Sequence, residues 1–123
     1  MKRNIFIALF VLGVLVGCGT VKTNEQATVQ KVSCDNMKDL IKKENSFLVD
    51  VREPSEYEEE HLDGSINIPS TNINSITSNK DITKDSIIVV YCKSGNRSSD
   101  SANKLVGMGY KHVYDLGSIN NCK

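Results

Sequence analysis

The sequence predicts an α/β protein, a small parallel sheet of about five strands flanked by helices. Two runs, residues 47–51 and 87–91, are nearly continuous in apolar, mostly β-branched residues, which suits strands covered on both faces. Between the strand-like runs lie segments whose apolar residues recur at helical spacing, and that alternation implies parallel strands joined by right-handed crossovers. At 123 residues the chain holds one domain's worth of sequence.

The chain begins Met1-Lys2-Arg3-Asn4 and continues into an apolar run over residues 5–16. Twelve residues are too few to span a bilayer comfortably and suit the apolar core of a signal peptide. The run ends Leu15-Val16-Gly17-Cys18, which resembles a bacterial lipoprotein box. That resemblance implies removal of residues 1–17 and lipidation of Cys18, with diacylglyceryl and N-acyl (palmitate-type) chains that together anchor stably. An uncleaved N-terminal anchor is the alternative. Either reading places the protein at the cell membrane, lipid-anchored or otherwise tethered, on the extracytoplasmic side. Residues 18–28 then form the lipidated end and a polar tether, and residues 29–123 the folded domain.

Within that domain, residues 29–32 alternate as a short strand. Ser33 or Asp35 can cap a helix carrying Met37, Leu40 and Ile41 and stopping near Asn45. Residues 47–51 form the next strand, and Pro54 at a first helical position, followed by Glu56, Glu58 and Glu59, starts a short acidic helix. Ile66, Asn67 and Ile68 make a brief strand ended by Pro69. Residues 70–80 are rich in Ser, Thr and Asn, with Ile73 and Ile76 marking a short helix. The strand to Tyr91 leads through a Gly-bearing basic loop to a helix that Ser98 or Ser99 can cap, with Ala102, Leu105 and Val106 on its apolar face and Gly109 beyond its end. Residues 112–116 are the last strand.

Cys92 thus stands between the C-terminal end of a strand and the N-terminal end of a helix. Open parallel sheets bind ligands along that edge, and the free N–H groups there favour an anion. The loop Cys92-Lys93-Ser94-Gly95-Asn96-Arg97-Ser98 is similar to the active-site loop of the rhodanese-like sulfurtransferases. Asp50-Val51-Arg52-Glu53 followed by His61-Leu62-Asp63-Gly64-Ser65 and Pro69 resembles that family's upstream motif, and Gly109-Tyr110 with Val113, Tyr114, Leu116 and Ser118 its last strand. The resemblance implies a rhodanese-like fold and a ping-pong sulfur transfer. The Cys92 thiolate takes the outer sulfur of a small donor such as thiosulfate as a persulfide, and a thiol or cyanide acceptor removes it. It implies an anion cradle from Lys93, Ser94, Gly95, Asn96, Arg97 and Ser98, with Gly95 supplying the backbone freedom of a tight curl. It also implies a supporting role for Asp50 in holding the loop. Arg52 is read either as a substrate-facing cation or as a partner of the acidic run. His61 is structural in that family, His112 has no role, and Glu56, Glu58, Glu59 and Glu60 read as a solvated helix face.

Other chemistries fit less well. Phosphatases and arsenate reductases of a related fold carry a longer loop, with five residues between the cysteine and the arginine. Four residues separate Cys92 from Arg97, which suits one sulfur atom better than a tetrahedral oxyanion. Position 95 is glycine, so there is no Cys-x-x-Cys redox pair. The cysteines are scattered and no histidine pair has metal spacing, so neither a metal nor a cofactor is implied. A carrier that holds sulfane sulfur for a redox or sulfur-accepting protein, without turning over a small donor, has the same loop and remains the alternative. Without Lys2 and Arg3 there are 13 basic against 15 acidic residues, a balance that argues against nucleic acid as a partner.

The C-terminus departs from the family. Gly117 to Lys123 lacks the usual tryptophan and following helix, and the whole sequence has no Trp. With Cys18 lipidated, Cys34, Cys92 and Cys122 remain. In this fold the first and last strands are neighbours, which brings Cys34 and Cys122 toward one edge and implies a disulfide between them, permitted outside the cytoplasm. Cys122 as a resolving thiol for the Cys92 persulfide and two unpaired cysteines are the other readings.

Overall fold

The computed structural model describes residues 27–123; the expected signal segment, Cys18 and most of the expected tether lie outside the described residues. Five strands, β1 (Gln30–Lys31), β2 (Ser46–Asp50), β3 (Ser65–Asn67), β4 (Ile87–Cys92) and β5 (His112–Ser118), form one sheet in the order β1-β5-β4-β2-β3. Every pairing is parallel, so all strands end along one edge. The helices are α1 (Cys34–Leu40), α2 (Pro54–Glu59) and α3 (Asn96–Gly107), with 3-10 segments at Ser70–Ser78 and Ile119–Cys122. Among the described residues no helix is long and apolar enough to cross a membrane.

β4 is apolar throughout because it is the middle strand and both its faces are covered. Ile88, Val90 and Cys92 enter one core with Leu105, Ala102, Ile73 and Ile76, from α3 and the first 3-10 segment. Val89 and Tyr91 point the other way, into a core with Met37 of α1, Leu116 of β5 and Ile119 of the C-terminal turn. The period of two along the strand therefore puts the Cys92 side chain on the α3 face. Fully burying each of these aliphatic side chains contributes about 1.5–3 kcal/mol.

Several boundaries differ from the sequence reading for local reasons. Ser33 is the cap of α1, its Oγ accepting the Asn36 N–H at 3.1 Å. The helix stops at Leu40, ahead of Asn45, whose φ of 60° turns the chain into β2. Residues 70–78 are 3-10 turns rather than an α-helix, anchored by buried Ile73 and Ile76. β5 runs to Ser118 and carries a bulge: Val90 pairs with Asp115, but Tyr91 pairs with Gly117 and Cys92 with Ser118. The Asp115 carboxylate accepts the Gly117 N–H at 2.9 Å, and Gly117 has φ +84°. That Asp-x-Gly turn absorbs the extra residue, Leu116.

Candidate active site

Cys92 ends β4 with no solvent exposure. Its Sγ accepts the Gly95 N–H at 3.0 Å and the Ser98 N–H at 3.3 Å. Both donors belong to the start of α3, where amides lack intrahelical partners. The helix begins earlier than its serines suggested. Gly95 is the cap, with φ +106° and ψ −17°, and Ser98 is already inside the first turn, donating its hydroxyl to the Gly95 carbonyl at 3.1 Å. A Cβ at Gly95 would meet no atom within 4 Å, so glycine is required there by backbone conformation and not by space. Of the predicted cradle, Gly95 and Ser98 donate to the sulfur. The side chains of Lys93, Ser94 and Asn96 are exposed, and the Lys93 carbonyl accepts the Ser118 hydroxyl at 2.6 Å.

Arg97 does not aim its charge at the sulfur. Its guanidinium forks onto Glu56, with Nη1 to Oε1 at 2.7 Å and Nη2 to Oε2 at 3.1 Å. The same carboxylate accepts the Glu53 N–H at 3.0 Å, so the first turn of α2 clamps the first turn of α3. Glu56, read from sequence as part of a solvated face, is a site residue. The Arg97 hydrogen bonds, and then the Glu53 N–H, pull its carboxyl from the ordinary 4.5 down to about 2. A carboxyl lowered in the folded state stabilises fully above pH 4.5, and that contribution fades as pH falls toward 2. With the two side chains 34% and 27% exposed, screening holds the contribution to about 1 kcal/mol. Arg97→Met is expected to lose that amount above the ordinary carboxylate range and to converge with wild type as pH approaches the lowered value. Urea titrations at stepped pH check this; a pH-independent difference would assign the loss to packing instead.

Asp50 and Arg52 form a buried unit, 0% and 4% exposed. The Asp50 carboxylate accepts the Arg52 backbone N–H at 2.9 Å, Nε at 3.0 and 3.1 Å, and Nη2 at 2.8 Å. These bonds raise the Arg52 guanidinium above its ordinary pKa. Nη2 also donates to the Glu60 carbonyl at 2.7 Å. Asp50 thus makes no hydrogen bond to the Cys92 loop. It fixes Arg52, and Arg52 meets the acidic run through a main-chain oxygen rather than a carboxylate. Next to this pair Tyr91 is buried, its hydroxyl accepting the Leu62 N–H at 3.0 Å and lying 3.1 Å from Ser65 Oγ; burial pushes its pKa up to about 12, so it stays neutral. His61 stacks on Tyr57 and places Nδ1 2.7 Å from the Tyr57 carbonyl, a structural position. His112 opens β5 opposite Ile87, five residues before the strand's Cys92 end.

A cleft of about 130 Å³ opens beside the loop, lined by Arg52, Glu56, Glu60, Lys93, Asn120 and Lys123 among others. Across the sheet, Cys34 and Cys122 are joined, with Sγ atoms 2.09 Å and Cα atoms 5.3 Å apart. Cys92 is the free cysteine among the described residues. The site therefore offers one isolated sulfur, held by two N–H groups, with a small mixed-charge cleft beside Lys93 of its loop, an arrangement able to hold a negatively charged sulfur.

The description "Rhodanese-like domain" matches residues 33–122. The chain belongs to the rhodanese-like family. It is 35% identical over 71 residues to the thiosulfate sulfurtransferase PspE of Escherichia coli, covering 58% of this chain and 68% of that one. It is 33% identical over 78 residues to the thiosulfate sulfurtransferase GlpE of Coxiella burnetii, covering 63% of this chain and 71% of that one. Among solved structures it resembles an E. coli rhodanese determined with anions, at TM-score 0.58 and 33% identity over 62% of this chain and 89% of the other. The human single-domain sulfurtransferase TSTD1 shares the fold at TM-score 0.67 and 20% identity over 75% of this chain and 93% of the other. The rhodanese-like fold expected from the three motifs is the one the chain adopts.

Proposed function

We propose that this rhodanese-like protein is a sulfurtransferase that moves sulfane sulfur through a persulfide on Cys92, with thiosulfate as donor. The observation that carries this is the Cys92 sulfur accepting the Gly95 and Ser98 amides at the sheet edge. Those two donors favour negative charge on sulfur both before and after loading. The Cys92 thiolate attacks the outer sulfur of thiosulfate. The sulfur–sulfur bond of the donor breaks, sulfite leaves with the electron pair, and Cys92–S–S⁻ remains. Cyanide or a thiol then attacks the terminal sulfur, and the Cys92 thiolate returns. Thiosulfate sulfurtransferase names among the relatives and the anions of the similar E. coli structure support this choice of donor. A phosphatase reading lacks its binding group, because the Arg97 fork is occupied by Glu56.

In this reading the domain works from the extracytoplasmic face of the cell membrane, held by lipid on Cys18. Incorporation of labelled palmitate into the full chain, lost in Cys18→Ala, tests the anchor; equal labelling of the variant would remove it. Intact mass of the full chain tests the chemistry. Thiosulfate is expected to add one sulfur, cyanide to remove it as thiocyanate, and Cys92→Ser to abolish both, a loss of at least about a thousandfold for removal of a covalent nucleophile. Loading only from a protein persulfide would favour the carrier; no loading from any donor would remove the sulfur-transfer reading.

A further inference from the structure

We propose that Glu56 is a specificity-determining residue: by filling the Arg97 fork it keeps oxyanions off the Cys92 loop and leaves the loop to a single sulfur. The consequence for donor and leaving group rests on the sulfur-transfer reading above; the exclusion of oxyanions does not. Arg97 belongs to the same helix start that holds the sulfur. Gly95 and Ser98 give their amides to Cys92 Sγ, and Arg97 leaves the first turn of α3 between them in sequence. A negative charge on Cys92 favours the Arg97 cation through space, so the guanidinium lies within electrostatic reach of the sulfur. A guanidinium beside free amides at a helix N-terminus is a receptor for a tetrahedral anion, with two parallel N–H donors for two oxygens.

Here both donors go to the Glu56 carboxylate, Nη1 to Oε1 at 2.7 Å and Nη2 to Oε2 at 3.1 Å. The carboxylate is itself fixed, because Oε1 also accepts the Glu53 N–H at 3.0 Å. Turning away from Arg97 would cost it a backbone bond as well. The pair is only partly covered, so an anion in solution can approach it. What that anion meets is a filled fork and a carboxylate that repels it. The other cations near the loop are committed in the same way, Arg52 to Asp50 and Lys123 to Glu60. Glu53 adds a second negative charge close to Arg97, and Glu59 another in the cleft beside Lys93. Lys93 is exposed and has no ion pair among the described residues; a lone ammonium attracts an anion without fixing its geometry. Thiosulfate is therefore held loosely by its oxygens, sulfite leaves readily, and phosphate or sulfate competes poorly for the loop.

Protection of Cys92 from iodoacetamide in the full chain, read by peptide mass, measures oxyanion binding without any sulfur chemistry. Sulfate and phosphate are the probes, and sodium chloride at matched ionic strength is the reference, because screening acts on every exposed charge. Glu56→Gln keeps the side-chain shape and an oxygen for the Glu53 N–H while removing the charge. The sulfate or phosphate concentration that halves alkylation is expected to fall about tenfold in this variant, the scale of a hydrogen bond to a charged group. Adding Arg97→Met to Glu56→Gln is expected to bring that concentration back to the wild-type value or above. A residue that acted only on stability would move neither. In turnover with thiosulfate and cyanide, the donor KM and the sulfite inhibition constant of Glu56→Gln are each expected to fall about tenfold. Equal protection in wild type and Glu56→Gln, or a fall that survives Arg97→Met, would overturn the proposal. If protection shifts as expected while wild type takes no sulfur from thiosulfate, the oxyanion exclusion stands and the thiosulfate reading falls.

Discussion

Replacing Asp50 with Ala is expected to lower the unfolding free energy by about 3–5 kcal/mol, the cost of leaving a buried cation without its partner. Arg52 is 4% exposed, and after the substitution its guanidinium keeps the Glu60 carbonyl and loses all three side-chain bonds to the carboxylate. Against a typical total of about 5–15 kcal/mol, that is a large fraction. Asp50→Asn, which preserves shape and one acceptor oxygen, should lose less. Replacing both residues with apolar ones of similar volume should cost less than the single change, because no orphaned charge remains. Urea midpoints of the four proteins decide it; a single-variant loss under about 1 kcal/mol would mean that water reaches Arg52. Since Asp50 touches no atom of the Cys92 loop through a hydrogen bond, Asp50→Ala protein that remains folded is expected to load sulfur near the wild-type rate. A selective loss of loading would return Asp50 to the loop-holding role that the resemblance implied.

Removing the Cys34–Cys122 bridge is the other large effect. The bridge spans 88 residues, and closing a loop of that size restricts the unfolded chain by about 4–5 kcal/mol in the chain-entropy model. The domain is small and the sequence has no tryptophan, so its apolar core has little to spare. Cys34→Ala/Cys122→Ala is expected to unfold at a urea concentration lower by about 2 M, taking a slope of about 2 kcal/mol per molar. A midpoint shift below about 0.5 M would show that packing of Ile119 and Met37 holds the turn without the bond.

Much of the active loop was legible from order along the chain. An apolar run, a cysteine, a glycine and a helix-capable stretch in sequence can only be a strand edge meeting a helix N-terminus, and Gly95 and Ser98 are the residues whose amides reach the sulfur. Asp50 and Arg52 were legible as a pair of functional types, two residues apart at a strand end, though not their direction. The same spacing permits a fork facing solvent and one facing inward, and burial selected the inward one. Glu56 was missed because its partner Arg97 lies 41 residues away. Locally it is one of four acidic residues in Glu56-Tyr57-Glu58-Glu59-Glu60, and nothing in that run marks which carboxylate has a guanidinium above it.

By itself, the sequence determined the strand and helix alternation, the burial of β4 on both faces, the position of Cys92 between a strand end and a helix start, and the need for glycine at position 95. Each of these is set by residues within a turn or strand length of one another, where periodicity and backbone freedom act directly. Tertiary structure alone decided that Arg97 is neutralised by Glu56, that Arg52 turns inward on Asp50, and that a bulge delivers Ser118 to the active loop. Those outcomes depend on the register between strands and on which helix ends meet, and both are set by the joint burial of two cores rather than by any short stretch of chain.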